Sequence, residues 1–467
     1  FDPRVLYDNL HDRFIIVLLH GFSSAQSKIL VCYSKTNNPL NGWNIFALPG
    51  NPFSDTSWTD YPTIGVSDEE LFINGNRFGD AYIGYPYKGT YIYQIGLQEG
   101  YTGNPLQFVT WDSIYTPNSL EGITLYPAMQ GQGKSLQEKM YFVQLMPDSG
   151  SNVYLYEING LHSSPTKTLT ASQYAIPHYD VCANAFQKDP NSGFVDSLST
   201  GSAWTQNAFY LNKVVHFTFD ANISSGWCGL HYGRIYLDSN KAVVTSFGEA
   251  GTDLCYPAVA SFGYDSTDHS AVIAYVRSDT VVAKMPEVGV IAIDNDMQWS
   301  TKQTVKVGDT SVNILYPPTY AIQPERWGDY TGICRRYTAN SPEAWLAAAF
   351  GANTPPRLNS FGNWIAQIKN TDFPVHLQEA NKKIQRVVYP NPITDMFTLE
   401  FENKQEGWVS IYIMDIQGRR ITTLFEDYLR NSNNRIAFNK QMLTSGNYFL
   451  LVERNKQILF NEKIFIR

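Results

Sequence analysis

Two aspartates stand directly before tyrosines, Asp60-Tyr61 and Asp329-Tyr330, in segments that echo each other: Trp58-Thr59-Asp60-Tyr61-Pro62 and Arg326-Trp327-Gly328-Asp329-Tyr330-Thr331-Gly332. Carboxylates at a set separation are what glycoside-cleaving enzymes use, one as acid and one as base or nucleophile. An aspartate before a strand also accepts hydrogen bonds from turn backbone, so the pair marks a site only if folding unites its members. Other apparent motifs fail on spacing. Leu18-Leu19-His20-Gly21-Phe22 imitates the oxyanion segment of α/β-hydrolases, but the chain has no Gly-x-Ser-x-Gly elbow. The run Ala128 to Ser135 imitates a phosphate-binding loop, yet Ala128 stands where the first glycine is required. Eight scattered histidines, without His-Glu-x-x-His, give a catalytic zinc no visible ligand set. Asp294-Asn295-Asp296 offers oxygens to calcium but lacks the glycine and distal glutamate of an EF-hand loop. No cofactor is expected, calcium at that turn being the alternative.

The elements that must position such residues are strands. Of 467 residues, 43% are hydrophobic and only 17% charged, with 33 Gly and 24 Pro breaking the chain into short runs. That length exceeds one ordinary core and implies two or more domains. Thirty tyrosines suit cross-strand pairs and also surfaces that hold sugars by stacking. A net charge of -8 argues against nucleic acid, which demands basic patches. The longest apolar run near the start, Phe14 to Leu19, is too short to cross a bilayer, and Phe1 to Val5 reads as strand and not as signal peptide. Five cysteines without metal-type spacing leave at least one unpaired, so any disulfide would be incidental.

A weak repeat organises residues 1–370. Tyr61-Pro62, Tyr126-Pro127 and Tyr256-Pro257 each precede small and apolar residues, with Asp2-Pro3 an earlier copy and Asp329-Tyr330 a later one. The stretch around Tyr179 to Ala185 fills the remaining place, which gives six units. Proline at the first residue of a strand costs no ladder bond, so the motif reads as strand entry. Apolar runs suited to further strands follow each entry, such as Glu70 to Ile73, Lys139 to Leu145 and Ala271 to Val276. Repeated antiparallel units without helices point to a β-propeller of six blades. A seventh blade, or one blade completed by both chain ends, stays open. The Ser-x-Asp-x-Gly-x-x-Trp boxes of a sialidase are absent. Asp60, Tyr61, Asp329 and Tyr330 are the candidate axial residues.

Residues 389–467 form a second module, after a linker at 371–388 with a short helical piece around His376 to Lys383. Phe397, Leu399 and Phe401 alternate with polar residues, as do Val409, Ile411 and Ile413, and about seven strands fit, as a small immunoglobulin-like β-sandwich requires. Ten Lys and Arg against nine Asp and Glu from Tyr389 onward leave this module near neutral. The segment opens on Tyr389-Pro390-Asn391-Pro392, continues through Asp395 and the turn at Asp415 to Gly418, and closes on Gly446-Asn447-Tyr448-Phe449 and Lys463-Ile464-Phe465-Ile466-Arg467.

That series resembles the C-terminal sorting domain of cargo exported by the type IX secretion system of Bacteroidetes-type bacteria, and the preceding body resembles exported propellers that often accompany it. The resemblance implies passage through the outer membrane to the cell surface or medium. Its implied partners are the translocon, an outer-membrane shuttle barrel and a surface sortase that cuts between about Gln378 and Val388. Pro390, Asn391, Pro392, Asp395, Gly418, Gly446, Tyr448, Phe449 and Lys463 to Arg467 would carry recognition. Asp-Ser/Thr triplets, such as Asp112-Ser113-Ile114, resemble O-glycosylation acceptors of these bacteria. For the body, the lack of a complete catalytic constellation favours a binding or adhesion module, with a glycan or protein ligand, over a glycan- or peptide-active hydrolase.

Overall fold

The structure is a computed structural model that describes all residues except 134–137, 189–194, 224–225, 280–284, 314–323, 330, 340, 355–356, 371–372, 374–385, 404–405, 416–418, 431, 441–442 and 455–456. The proposed helical piece, most of the linker, Tyr330 and Gly418 lie outside the described residues. The chain divides into two compact units, Phe1–Phe373 and Pro374–Arg467.

The first unit is an all-β propeller. Among the described residues, six sheets of three or more strands follow one another along the chain, with these innermost antiparallel strands: Arg4–Asp8, Ser57–Val66, Tyr126–Pro127, Asn207–Leu211, Thr252–Ser261 and Gly332–Arg335. Sheets 1, 2, 3 and 5 have four strands each, sheet 4 gains Met129–Gln130 as a parallel inner edge, and sheet 6 has three strands. Each sheet is a local meander, because consecutive antiparallel strands need only tight turns. Residues of all six innermost strands line one cavity, which defines the propeller axis. The apolar clusters run from sheet to sheet, joining 1 with 2, then 2, 3 and 4, then 4 with 5, then 5 with 6.

Burial follows from this stacking. Strands Val214–Asn222, Thr252–Ser261 and Ala271–Asp279 are buried on almost every residue, since both faces of their sheets are covered. Neighbouring strands also require glycine at specific places: a Cβ on Gly233 would run into the ring of Phe217, its cross-strand partner. Strand Arg13–His20 differs, alternating strictly between buried and half-buried although apolar on both faces.

Three expectations need correction. Tyr179 to Ala185 does not start the fourth unit; it spans the end of strand Thr168–Asp180 in sheet 3 and the beginning of the small hairpin Ala185–Lys188/Val195–Leu198. The entry to sheet 4 is Asn207–Leu211, which lacks the Tyr-Pro signature. Pro62 and Pro257 are not strand entries but lie inside their strands, where the register slips between Asp60 and Thr63 and between Cys255 and Ala258. An innermost strand is a sheet edge, so a proline at a bulge costs it no ladder bond. Nor do the chain ends share a blade: sheet 1 is built from residues 4–49 and sheet 6 from 332–369. A disulfide, Cys182–Cys228, closes a span of 46 residues, while Cys32, Cys255 and Cys334 are free.

Among the described residues, the second unit is a seven-stranded sandwich. Arg386–Tyr389, Met396–Asn403 and Ser432–Asn439 form one sheet; the other runs in the order Arg420–Leu429, Gly407–Met414, Gly446–Arg454, Gln457–Ile466. Phe397, Leu399 and Phe401 from one sheet meet Val409, Ile411 and Ile413 from the other in a single buried core, as their alternation predicts.

Candidate functional site

The repeat positions converge at one end of the propeller axis. Asp2, Tyr61 and Tyr256, each directly before a proline, all have positive φ, of 51°, 48° and 51°. An L-residue other than Asn or Asp rarely adopts this conformation, so two tyrosines in it signal backbone strain held by the surrounding structure. Around them, the Tyr61 N–H donates to Asp2 Oδ2 at 3.3 Å, and Arg4 Nε donates to the Pro62 carbonyl at 2.8 Å. The Arg4 guanidinium lies 5.1 Å from the Tyr61 ring centre, and the Trp204 ring centre lies 5.0 Å from it. Asp329, held by Arg326 at 2.6 Å, acts electrostatically on both Tyr61 and Tyr256.

Asp60 and Asp329 are therefore brought to the same mouth. Asp60 is mostly buried and hydrogen-bonded to Asp2. Burial, then the Asp2 charge and that shared bond, push its carboxyl up to about 6, with Arg326 opposing. Behind the mouth, Asp220 accepts from the Tyr256 N–H at 3.0 Å, and its complete burial raises it to about 7.

The axial cavity, of about 450 Å³, shares Arg4 with this cluster, and its lining also includes Tyr126 and Asn207. Asn207 donates to the Tyr126 hydroxyl at 2.8 Å. Gln130 Oε1, Ser261 Oγ and Thr331 Oγ1 also belong to residues of this lining and have no protein partner. Buried polar atoms of this kind are normally satisfied by water or ligand. The size suits a small ligand.

Sequence reasoning selected Asp60, Tyr61 and Asp329 but passed over Asp2, Arg4, Trp204 and Arg326 as site residues. The Asp2-Pro3 copy of the repeat carried the signal for Asp2. Trp204 comes from an irregular segment that no periodicity marks. The Asp294 turn is engaged internally: Asp294 Oδ1 accepts from the N–H groups of Asp296 and Gln298, and Arg234 donates to the Asp294 and Asn295 carbonyls.

In the sandwich, three motifs distant in sequence meet on one edge. Gly446 to Phe449 pair residue by residue with Ile466 to Lys463. Ile464 and Ile466 are fully buried, whereas Lys463, Phe465 and Arg467 face solvent. The outer edge of this last strand is then covered by the Pro-Asn-Pro segment. Asn391 accepts from the Phe465 N–H and donates to the Lys463 carbonyl, both at 2.9 Å, and Ile393 continues the pairing with Phe465 and Arg467. Prolines flank an asparagine whose side chain does the work of a neighbouring strand, which closes an edge otherwise open to pairing. Asp395 lies apart, exposed, with its carbonyl accepting from the Lys440 N–H.

Residues 387–467 match the secretion system C-terminal sorting domain family. The tail is the sorting domain of a type IX secretion cargo, which interacts with that machinery and is exported to the cell surface or extracellular space. No helix among the described residues is long and apolar enough to cross a membrane. No curated protein matches the chain in sequence. Among solved structures, the chain is similar to a mutant of Trypanosoma rangeli sialidase displaying trans-sialidase activity, at 8% identity and TM-score 0.38, covering 99% of this chain and 83% of that one. It is also similar to a family 43 arabinoxylan arabinofuranohydrolase from Bacillus subtilis, at 12% identity and TM-score 0.33, covering 100% and 95%. At these levels the reading of the site rests on the chain's own side chains.

Proposed function

We propose that the sandwich docks to the type IX translocon and its outer-membrane shuttle barrel through the Gly446–Phe449/Lys463–Arg467 ladder, and that the propeller is a surface binding or adhesion module that holds a glycan at its axial mouth. The docking half is supported by the exposure of Lys463, Phe465 and Arg467 on a strand whose alternate residues are buried. A surface sortase would cut within 378–388, ahead of the sandwich.

Deleting Lys463 to Arg467 is a poor test, because it removes Ile464 and Ile466 from the core at about 1.5–3 kcal/mol each. Phe465→Asp with Lys463→Glu leaves that core intact. The double variant should melt like the wild type yet accumulate in the periplasm; normal surface delivery would sink the docking role of this edge.

For the propeller, the binding reading is supported by the closeness of Asp2 to Asp60, whose carboxyl it helps to raise. Glycosidases keep their carboxyl groups roughly 5–9.5 Å apart so that a sugar and water fit between them. Two carboxyls in contact instead form one acceptor cluster for hydroxyls, beside the aromatic platform of Tyr61 and Trp204. Glycan-array binding without turnover, weakened by Trp204→Ala, is expected. Release of sugar product that disappears in Asp60→Asn would replace this reading with the hydrolase.

A further inference from the structure

The axial cavity carries charge of one sign. Among the described residues its charged lining is Arg4 and Arg335, without an aspartate or glutamate, although the chain has 43 acidic residues against 35 basic ones. Arg335 ends the innermost strand of sheet 6 and reaches sheet 5, where its Nη1 donates to the Ser261 and Gly263 carbonyls at 3.1 and 2.9 Å. Neutral carbonyls fix the guanidinium without cancelling its charge. Both bonds use Nη1, and the Nε–Nη2 edge, which suits a pair of anionic oxygens, makes none to a described residue. Burial pulls this guanidinium below its ordinary range, with Tyr337 and Asp268 opposing, as expected of a cation short of counter-charge.

Hydroxyls stand beside it. Ser261, whose carbonyl takes one of the Arg335 bonds, is 1% exposed, and its Oγ has no protein partner. Thr331 Oγ1, from the residue that precedes the Arg335 strand, has none either, and both residues line the cavity. Gln130 Oε1 is likewise unpartnered, and a half-turn of that amide presents its NH₂ instead. Buried donors without partners are costly, and a charged acceptor satisfies a hydroxyl and a guanidinium together. Ile64, Met129, Phe209, Val259 and Ile333 make an apolar wall around these groups.

We propose that the axial cavity is a second binding site, which takes a small organic anion with its charged oxygens on Arg335, Ser261 and Thr331 and an apolar body against that wall. Arg4 adds a second positive charge from sheet 1, and in a protein of net charge -8 such a pocket is where an anion is drawn. A volume of about 450 Å³ holds a ligand of this size. A sugar acid fits less well, because its hydroxyls would lose water against Ile64, Phe209 and Val259 without gaining partners. Tyr61 and Trp204, the platform assigned to a glycan, are not in this lining, so the two sites can fail separately.

The test titrates the 1–467 chain with 8-anilinonaphthalene-1-sulfonate and with N-phenyl-1-naphthylamine, which has the same rings without the anionic group. The sulfonate should saturate one site per chain, followed by its fluorescence. Arg335→Gln should weaken it about tenfold and leave the neutral amine unchanged. Since Arg335 also ties sheet 6 to sheet 5, Ser261→Ala is the second variant: it removes a hydroxyl without a protein partner, so it should melt like the wild type yet bind the sulfonate at least threefold more weakly. Trp204→Ala should leave sulfonate binding unchanged. Octanoate should displace the sulfonate, and glucuronate at the same concentration should not. The site would be overturned by the absence of saturable binding, by equal losses for both probes in Arg335→Gln, or by wild-type affinity in Ser261→Ala. Loss of binding in Trp204→Ala, or displacement by glucuronate and not by octanoate, would overturn it as well.

Discussion

Replacing Asp60 with asparagine should stabilise the propeller at neutral pH. Asp60 is pushed from an ordinary 3.8 to about 6 by burial and by Asp2. At 1.36 kcal/mol for each tenfold change, that difference sets a ceiling of about 3 kcal/mol on the cost of keeping it ionised. The group is not fully enclosed and Arg326 opposes the shift, so screening reduces this to about 1–2 kcal/mol. The sign follows from proton counting. Between pH 4 and 6 the folded protein binds more protons at this carboxyl than the unfolded chain does, so stability falls as pH rises through that window and the penalty is complete above pH 6. Asparagine keeps a donor toward Asp2 without a second charge. For a unit of this size, the melting temperature of Asp60→Asn should exceed that of the wild type by about 1–3 °C at pH 7.5, with the two converging at pH 4. Differential scanning calorimetry across pH 4–8 reads this directly. A variant that melts below the wild type at pH 7.5, or a difference that does not change with pH, would refute the raised Asp60 carboxyl.

Other outcomes follow from single contacts. Asn391→Ala removes two hydrogen bonds from the edge of the last strand, so the sandwich should lose about 1–2 kcal/mol in denaturant unfolding and expose the Phe465 amide to hydrogen exchange. Cys182→Ser opens a 46-residue loop and should cost about 4 kcal/mol by chain entropy, measured as a lower unfolding midpoint under non-reducing conditions only. Gly233→Ala drives a methyl into the Phe217 ring and should destabilise the propeller by about 1–3 kcal/mol while leaving the sandwich transition unchanged in calorimetry.

Much of this was legible in the chain. The sandwich core followed from period-two alternation at Phe397 to Phe401 and Val409 to Ile413, because one face of each strand is wet. The Tyr-Pro dipeptide marked three of the six innermost strands, and its looser copies Asp2-Pro3 and Asp329-Tyr330 marked two more; a bulged edge strand tolerates proline where a central strand does not. Sheet 4 escaped because Asn207–Leu211 starts without that dipeptide, and the apolar run Ala208 to Phe217 hides a hairpin turn at Asn212 and Lys213, both with positive φ. Asp60 and Asp329 were chosen for their neighbours in sequence, whereas Asp2, Arg4 and Trp204 acquire meaning only from proximity.

The sequence by itself determined the strands, the two-module order and the sorting signature, because these depend on alternation, turns and short motifs that act within a few residues. Tertiary structure alone decided what meets what. Asp2 and Asp60, 58 positions apart, become one acid pair, and Asn391 becomes a partner for a strand 72 positions onward. It also decided which faces are covered. Sheet 1 is equally apolar on both sides, and only the placement of its neighbours distinguishes a core from an open wall.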